Sequence, residues 1–234
     1  MNLFFLQVII DSAKIKDSLA RVAQMAAAQK ESLWDILTKG GPLMIPLALL
    51  LVIAIFVFFE RYLAIKKASR LDDNFMSIIR DHIISGNIQA ARSLTKNTNT
   101  AVGKMIDKGI QRVGKPIEAI ERSMENVGKL ELYKMEKNLS VLSVIGYIGP
   151  LFGFLGTIVG MFQLFYTLAA TNDYTLSTIA GGIYVKMISS ASGLIIGIIA
   201  YLGYRFLNSQ VDKATNRMEV ASADFIDILQ EPTR

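Results

Sequence analysis

Three long stretches of this chain are almost free of charge, and its polar residues collect before, between and after them. The first runs from Leu43 to Phe59 and is closed by Glu60 and Arg61. The second, Gly146 to Ala169, reads GYIGPLFGFLGTIVGMFQLFYTLA, and the third runs from Ile179 to Leu207. About 17 to 25 apolar residues cover the hydrocarbon core of a bilayer as a helix, so each stretch is long enough to cross one.

The polar segments carry helical periodicity of their own. At the N-terminal end LFFLQVII is too short to span and lacks the positive lead-in of a signal peptide. From Ile15 the apolar Ile15, Leu19, Val22 and Ala26 recur at helical spacing among Lys14, Lys16, Asp17 and Arg21, which predicts an interfacial amphipathic helix. Gly40, Gly41 and Pro42 end it. After the first span, Asp72 and Asp73 are placed to cap a helix ending at Gly86, Asn87 one through Lys96, and Thr100 one ending near Gly114. Pro116 opens a further helix, with Glu118 and Glu121 at its dipole-favoured end. Its stripe of Ile117, Ile120, Met124, Val127 and Leu130 meets no proline before Pro150, so the second crossing is expected to extend out of the membrane as one long helix. Beyond the third span Val211, Ala214, Met218, Ala221, Phe225 and Ile228 alternate by three and four, the seam of a packed stalk.

The expected fold class is therefore all-α: a polytopic membrane protein with three transmembrane helices, long cytoplasmic helical extensions and an N-terminal amphipathic helix. Its expected segments are the interfacial helix 1–39, span 40–65, a cytoplasmic helical domain 66–140, span 141–170, a short loop 171–178, span 179–207 and a cytoplasmic tail 208–234. Lys66, Lys67 and Arg70 follow the first span, whereas Thr171 to Thr178 carries only Asp173. The positive-inside rule then places 66–140 in the cytoplasm, with the N-terminus and the 171–178 loop on the other side.

Composition narrows the chemistry. Hydrophobic residues make up 52% and charged residues 19% of the 234 residues, so a membrane-embedded body carries a substantial water-exposed part. There is no cysteine and a single histidine, His82, which removes disulfides, thiolate metal sites, Cys nucleophiles and His clusters. His82 has no partner histidine or carboxylate cluster around it and reads as a solvated helix residue. The net charge of +5 reflects cytoplasmic loop bias and not nucleic-acid binding. Gly109, Gly114 and Lys115 fit a phosphate-loop pattern, but Pro116 stands where magnesium needs Ser or Thr, and no strand precedes it. No enzymatic activity, cofactor or metal is expected.

What remains lies inside the spans. Gly149, Gly153, Gly156 and Gly160, with Pro150 among them, and Gly193 and Gly197 on the third span, make small-xxx-small faces that admit close helix packing. Thr157 lies one turn beyond Gly153, and Ser189 and Ser190 lie on the third span. Such hydroxyls either bond the carbonyl four residues back or face a polar path. Lys186 is the one charge well inside a span, and leaving an ammonium unpaired there costs at least about 2.5 to 3.5 kcal/mol. Helical steps from Lys186 reach Ser190, Gly193 and Gly197, so it shares the small, polar face, either facing a pore or snorkelling to the near surface. No Asp or Glu lies inside any span, so a proton path through this chain needs an acid from another subunit.

These residues resemble the MotA/TolQ/ExbB proton-channel family, its ExbB/TolQ branch in particular. LYKMEKNLSVLSVIGYIGPLFGFLGTIVGMFQLF, Leu132 to Phe165, is similar to that family's charged helix running into A-P-L-L-G-L-L-G-T-V-x-G-M, with Thr157 on the threonine. GIYVKMISSASGL, Gly182 to Leu194, is similar to G-I-x-E-A-L-x-x-T-A-x-G-L, with Ser190 on the second hydroxyl position, and Glu60-Arg61 fits the family's E-R ending. The family's acidic residue falls on Val185, beside Lys186, so that role does not carry over. Three crossings with a large insert after the first resemble ExbB and TolQ and not MotA, which has four. The resemblance implies a housing subunit of a proton-motive-force-driven motor in the bacterial inner membrane. It implies a homopentamer around helices of an ExbD/TolR-like single-span partner that carries a membrane aspartate, with Thr157, Ser190, Lys186 and Ser189 along the proton pathway. The output goes to a TonB-like effector for outer-membrane transport, or to the Tol-Pal system in a TolQ-like version. A non-conducting membrane scaffold and a stand-alone transporter are the alternatives from other classes.

Overall fold

The computed structural model describes residues 40–70, 72, 74–171 and 174–231, and its described residues form helices joined by short turns, with no strand among them. The helices are α1 Met44–Ser69, α2 Phe75–Ile84, α3 Ile88–Asn97, α4 Ala101–Ile110, α5 Ile117–Glu136, α6 Leu139–Thr171 and α7 Leu176–Gln230. The amphipathic helix expected over 1–39 lies outside the described residues, as do Asp73, Asp173 and the last three residues.

Three helical stretches are long and apolar enough to cross a membrane: α1, the second ending at Thr171, and α7. The protein is a multi-pass membrane protein of the all-α class. Helix α6 pairs along α7 as a hairpin, and α1 lies against both. At 55 residues α7 is about 80 Å long, more than twice what a bilayer needs, so its second half projects as a stalk. Along that half Leu207, Val211, Ala214, Met218, Ala221, Phe225 and Ile228 are buried, the regular three-four seam of the tail. Helices α2, α4 and α5 pack on this stalk. The packing is tight at Phe225, where a methyl group on Gly109 of α4 would sit 2.6 Å from the Phe225 ring and from the sulfur of Met124.

The turns follow local chemistry. Asn87 Oδ1 accepts from the Ala90 N–H at 3.1 Å and Thr100 Oγ1 from the Gly103 N–H at 3.2 Å, each satisfying a donor of the first helical turn. Gly86 and Gly114 take positive φ, +72° and +90°, where the chain turns out of α2 and beyond α4. Asp72, expected with Asp73 as a cap, lies two positions before the N-cap: its carboxylate accepts from the Asn74 N–H at 3.3 Å, and Asn74 holds the N-cap position of α2 without a side-chain bond into the helix.

One expected element is two. The helix opened by Pro116 does not run unbroken into the membrane; α5 ends at Glu136 and α6 starts at Leu139. Asn138 between them has φ 64°, a left-handed conformation that asparagine tolerates better than most residues. The buried Arg61 at the foot of α1 donates to the Lys134 carbonyl at 3.2 Å, one of the acceptors left open at the end of α5, while also bonding Glu60.

Candidate functional site

The candidate site is built on the α6–α7 seam, where glycine lets two backbones touch. A methyl group on Gly193 would fall 2.6 Å from the Gly149 carbonyl oxygen and 2.7 Å from the Gly153 Cα. One on Gly153 would meet the Ser190 and Ser189 carbonyls at 3.0 and 3.1 Å, and one on Gly149 the Gly193 carbonyl and the Gly197 nitrogen at 3.0 and 3.1 Å. Gly197 leaves room for the ring of Pro150, whose carbons would lie 2.5 and 2.7 Å from an added methyl. Four of the six glycines of the two small-residue faces, Gly149, Gly153, Gly193 and Gly197, thus serve close backbone packing within one chain, whereas Gly156 and Gly160 make room for side chains of Ser189, Leu43 and Lys186.

The hydroxyls separate into two environments. Ser189 is 3% exposed, and its Oγ donates to the Gly40 carbonyl at 2.8 Å, tying the entry of α1 to α7. Leu43 of the same entry lies 3.5 Å from where a Gly156 methyl would be. Ser189 therefore sits inside the subunit, on a main-chain partner, and not on an open surface. Thr157 is half-buried; its Oγ1 donates to the Gly153 carbonyl at 3.3 Å and reaches the Lys186 carbonyl at 3.5 Å. Ser190 is half-buried on the next position of α7, with its backbone against Gly153. The seam thus brings Thr157, Ser190 and the Lys186 backbone together.

Lys186 lies flat over Gly160, its side-chain stem occupying the space a methyl there would need. It is half-buried and makes no ion pair among the described residues. No Asp or Glu occurs among the described residues of α6, nor in α7 before Asp212. No group of three or more His, Asp or Glu side chains converges on a possible metal position among the described residues.

Depth along the bundle locates these groups. Phe58 packs against Gly203 and Phe206 at the foot of α1, and Arg61 and Arg205 mark the charged boundary there. Nineteen residues separate Lys186 from Arg205 on α7, about 28 Å, close to the roughly 30 Å of bilayer hydrocarbon. Thr157 and Lys186 are level with Gly40 at the entry of α1, and the tips of α7 and α6 reach about 15 and 21 Å beyond that level.

Sequence reasoning missed two features. Arg61 reads as the charged stop of a span, and nothing in the chain signals that it is buried and holds a carbonyl of α5. Glu131 is the other: it is 5% exposed and bonded by Lys104 at 3.1 Å and Lys134 at 2.6 Å, joining α4 to α5. Burial pushes its carboxyl up, but the hydrogen bonds from Lys134 and Lys104 outweigh that and hold it below the usual carboxylate range.

Comparison with known proteins covers this same region. The MotA/TolQ/ExbB proton channel family matches residues 97–220, which take in α5, α6 and most of α7. An ExbB-like biopolymer transport protein of Synechocystis is 26% identical over 184 residues, 77% of this chain and 72% of the relative. A biopolymer transport protein ExbB homolog of Methanothermobacter thermautotrophicus is 23% identical over 188 residues, 80% of this chain and 66% of that protein. The Tol-Pal system protein TolQ of Pseudomonas aeruginosa is 30% identical over 113 residues, and there the match spans about half of each protein, 48% of this chain and 49% of TolQ. With more than half of its length matched, including the whole α6–α7 seam, the chain belongs to the MotA/TolQ/ExbB proton channel family.

Proposed function

We propose that this chain is the housing subunit of a proton-motive-force-driven motor of the ExbB kind in the bacterial inner membrane, N-terminus periplasmic and C-terminus cytoplasmic. Five copies form a ring around the membrane helices of an ExbD/TolR-like partner, whose single membrane aspartate carries the proton. The work is passed to a TonB-like effector for outer-membrane transport; a TolQ-like subunit of the Tol-Pal system is the alternative within the family, since relatives of both names match.

One observation carries the reading: on the α6–α7 seam the Thr157 hydroxyl lies on main-chain carbonyls of both helices, with half-buried Ser190 against Gly153, while the described residues of α6 and of α7 before Asp212 contain no carboxylate. A proton relay across a membrane needs a group that titrates, and hydroxyls at neutral pH do not. They do supply hydrogen bonds that favour a carboxylate in its charged form when one passes, and the apolar surface on either side favours the neutral form. Thr157 and Ser190 fit that task by exposure and position; Ser189, buried on Gly40, fits a structural tie.

The test is Thr157→Val, which keeps shape and removes the hydroxyl. The expected outcome is an assembled complex with gradient-dependent work in cells reduced at least about tenfold, which corresponds to about 1.4 kcal/mol, and restored by Thr157→Ser. Full output from Thr157→Val would remove the hydroxyl from the mechanism and favour a non-conducting scaffold.

A further inference from the structure

Helices α1 and α7 leave a groove between them where they pass out of the bilayer on the stalk side. Its membrane half is a cavity of about 320 Å³ walled by Ile55 and Phe59 of α1 and by Ile199 and Leu202 of α7, over a floor that Ala200 and Gly203 keep low. Every residue lining it is apolar. The outer half is a cavity of about 220 Å³ that Tyr62, Lys66 and Ser69 of α1 share with Gln210 of α7. Phe206 lines both, which makes them two halves of one groove.

Polarity rises along the two walls in step. On α1 Ile55, Phe59, Tyr62, Lys66 and Ser69 follow one another by three and four and share a face; on α7 Ile199, Leu202, Phe206 and Gln210 do the same. Ile55 and Lys66 are eleven positions apart, about 16 Å. About 9 Å of that lies on the hydrocarbon side of Arg61, and about 7 Å lies beyond it, the depth of one headgroup layer. Tyr62 stands at the junction, stacked on Phe58 with 6.3 Å between ring centroids, where an amphipathic ring suits the interface. Lys66 closes the outer end: its Nζ is 5.7 Å from the Tyr62 ring centroid, and it is exposed with no ion pair among the described residues. Lys67 and Arg70 add two positive charges within the next turn, and Gln210 across the groove is neutral. The acids on either side in the chain are engaged, Glu60 by Arg61 and Asp72 by the Asn74 N–H.

Whatever fills this groove is apolar along its inner part, amphipathic at the aromatic level and negative at its end, and it stays within one leaflet. A neighbouring helix would run on through both leaflets. Basic pockets between membrane helices at the charged boundary collect anionic headgroups. We propose that the α1–α7 groove holds one anionic phospholipid of the stalk-side leaflet, with an acyl chain between Phe59 and Leu202 and the phosphate at Lys66. The proposal does not rest on the proton-driven reading and stands if that reading fails.

The test uses the full chain in phosphatidylcholine nanodiscs carrying a small fraction of a lipid with a photoreactive diazirine in its acyl chain, under either a phosphatidylglycerol or a phosphatidylcholine headgroup. The phosphatidylglycerol probe should label residues 55–59 and 199–202 about fivefold more than the phosphatidylcholine probe, the preference one interfacial cation supplies. Lys66→Gln should remove that preference and leave the phosphatidylcholine label unchanged, whereas Lys115→Gln, which neutralises an exposed cation in the turn between α4 and α5, should keep it. Ile55→Trp narrows the membrane half and should lower the label from both probes. Equal labelling by the two headgroups, or a preference that survives Lys66→Gln, overturns the site. Label absent from the groove assigns it to a neighbouring copy and overturns it as well. Excess glycerol phosphate in the buffer should not compete; a preference lost to it would mean that Lys66 takes soluble phosphate and not a lipid.

Discussion

A methyl group at Gly193 has nowhere to go, because the atoms it meets belong to the backbone of α6 and cannot turn aside. Gly193→Ala should therefore push α6 and α7 apart at a cost of about 1–3 kcal/mol, read as a lower unfolding midpoint in detergent. Gly181→Ala, five positions beyond Lys186 toward the hairpin tip, meets nothing within 4 Å and should be neutral or slightly stabilising by the same measurement. The glycine spacing was legible in the sequence as a packing signal; which helix each glycine would meet was not, since spacing defines a face and not its partner. Glu131 shows the opposite case. Its two lysines lie three and twenty-seven positions away, and only the fold brings the far one in. Because its folded-state pKa lies below its unfolded value, its stabilisation is present above about pH 4.5 and is lost as pH falls through the folded-state value. Acid titration of stability should show this loss in the parent, and Glu131→Gln should lower stability near neutral pH by about 1–3 kcal/mol and flatten the acid limb.

At the scale of elements, the break between α5 and α6 separates the water-exposed helices from the membrane hairpin. Asn138 at φ 64° carries it, so Asn138→Gly should be tolerated, whereas Asn138→Val should cost on the order of 1–2 kcal/mol and favour a straightened helix. Site-directed spin-label distances across residues 130 and 146 would read a lengthening in the valine variant only. Lys-Asn is a weak breaker in sequence, and the decisive contact, Arg61 on the Lys134 carbonyl, spans 73 positions, so periodicity alone continued the helix. The stalk was readable for the converse reason. Its seam from Val211 to Ile228 is local, regular and buried along its whole length, and the pattern needs no distant contact to be recognised. Asn87 and Thr100 were legible as caps on the same ground, their bonds falling three residues away.

For the whole molecule, the three membrane-length apolar helices and the water-exposed helical body followed from hydrophobic pattern, and the proton-channel family from the residues around Thr157 and Ser190. Less legible was how the small-residue faces are used. They hold one hairpin together, and the surface left for neighbours and lipid is instead the large apolar one, with Phe162 78% and Tyr166 75% exposed on α6. A chain with that surface, a polar seam and no acid among the described residues of α6 or of α7 before Asp212 is half of a proton device. The measurement that tests this most directly is the intact mass of the complex purified after coexpressing the full chain with a single-span protein that carries one membrane aspartate. The account predicts several copies of this chain, five in number, holding the partner's helices, and loss of gradient-driven work when that aspartate is changed to asparagine. A stable ring that excludes the partner would contradict it and leave the chain a scaffold.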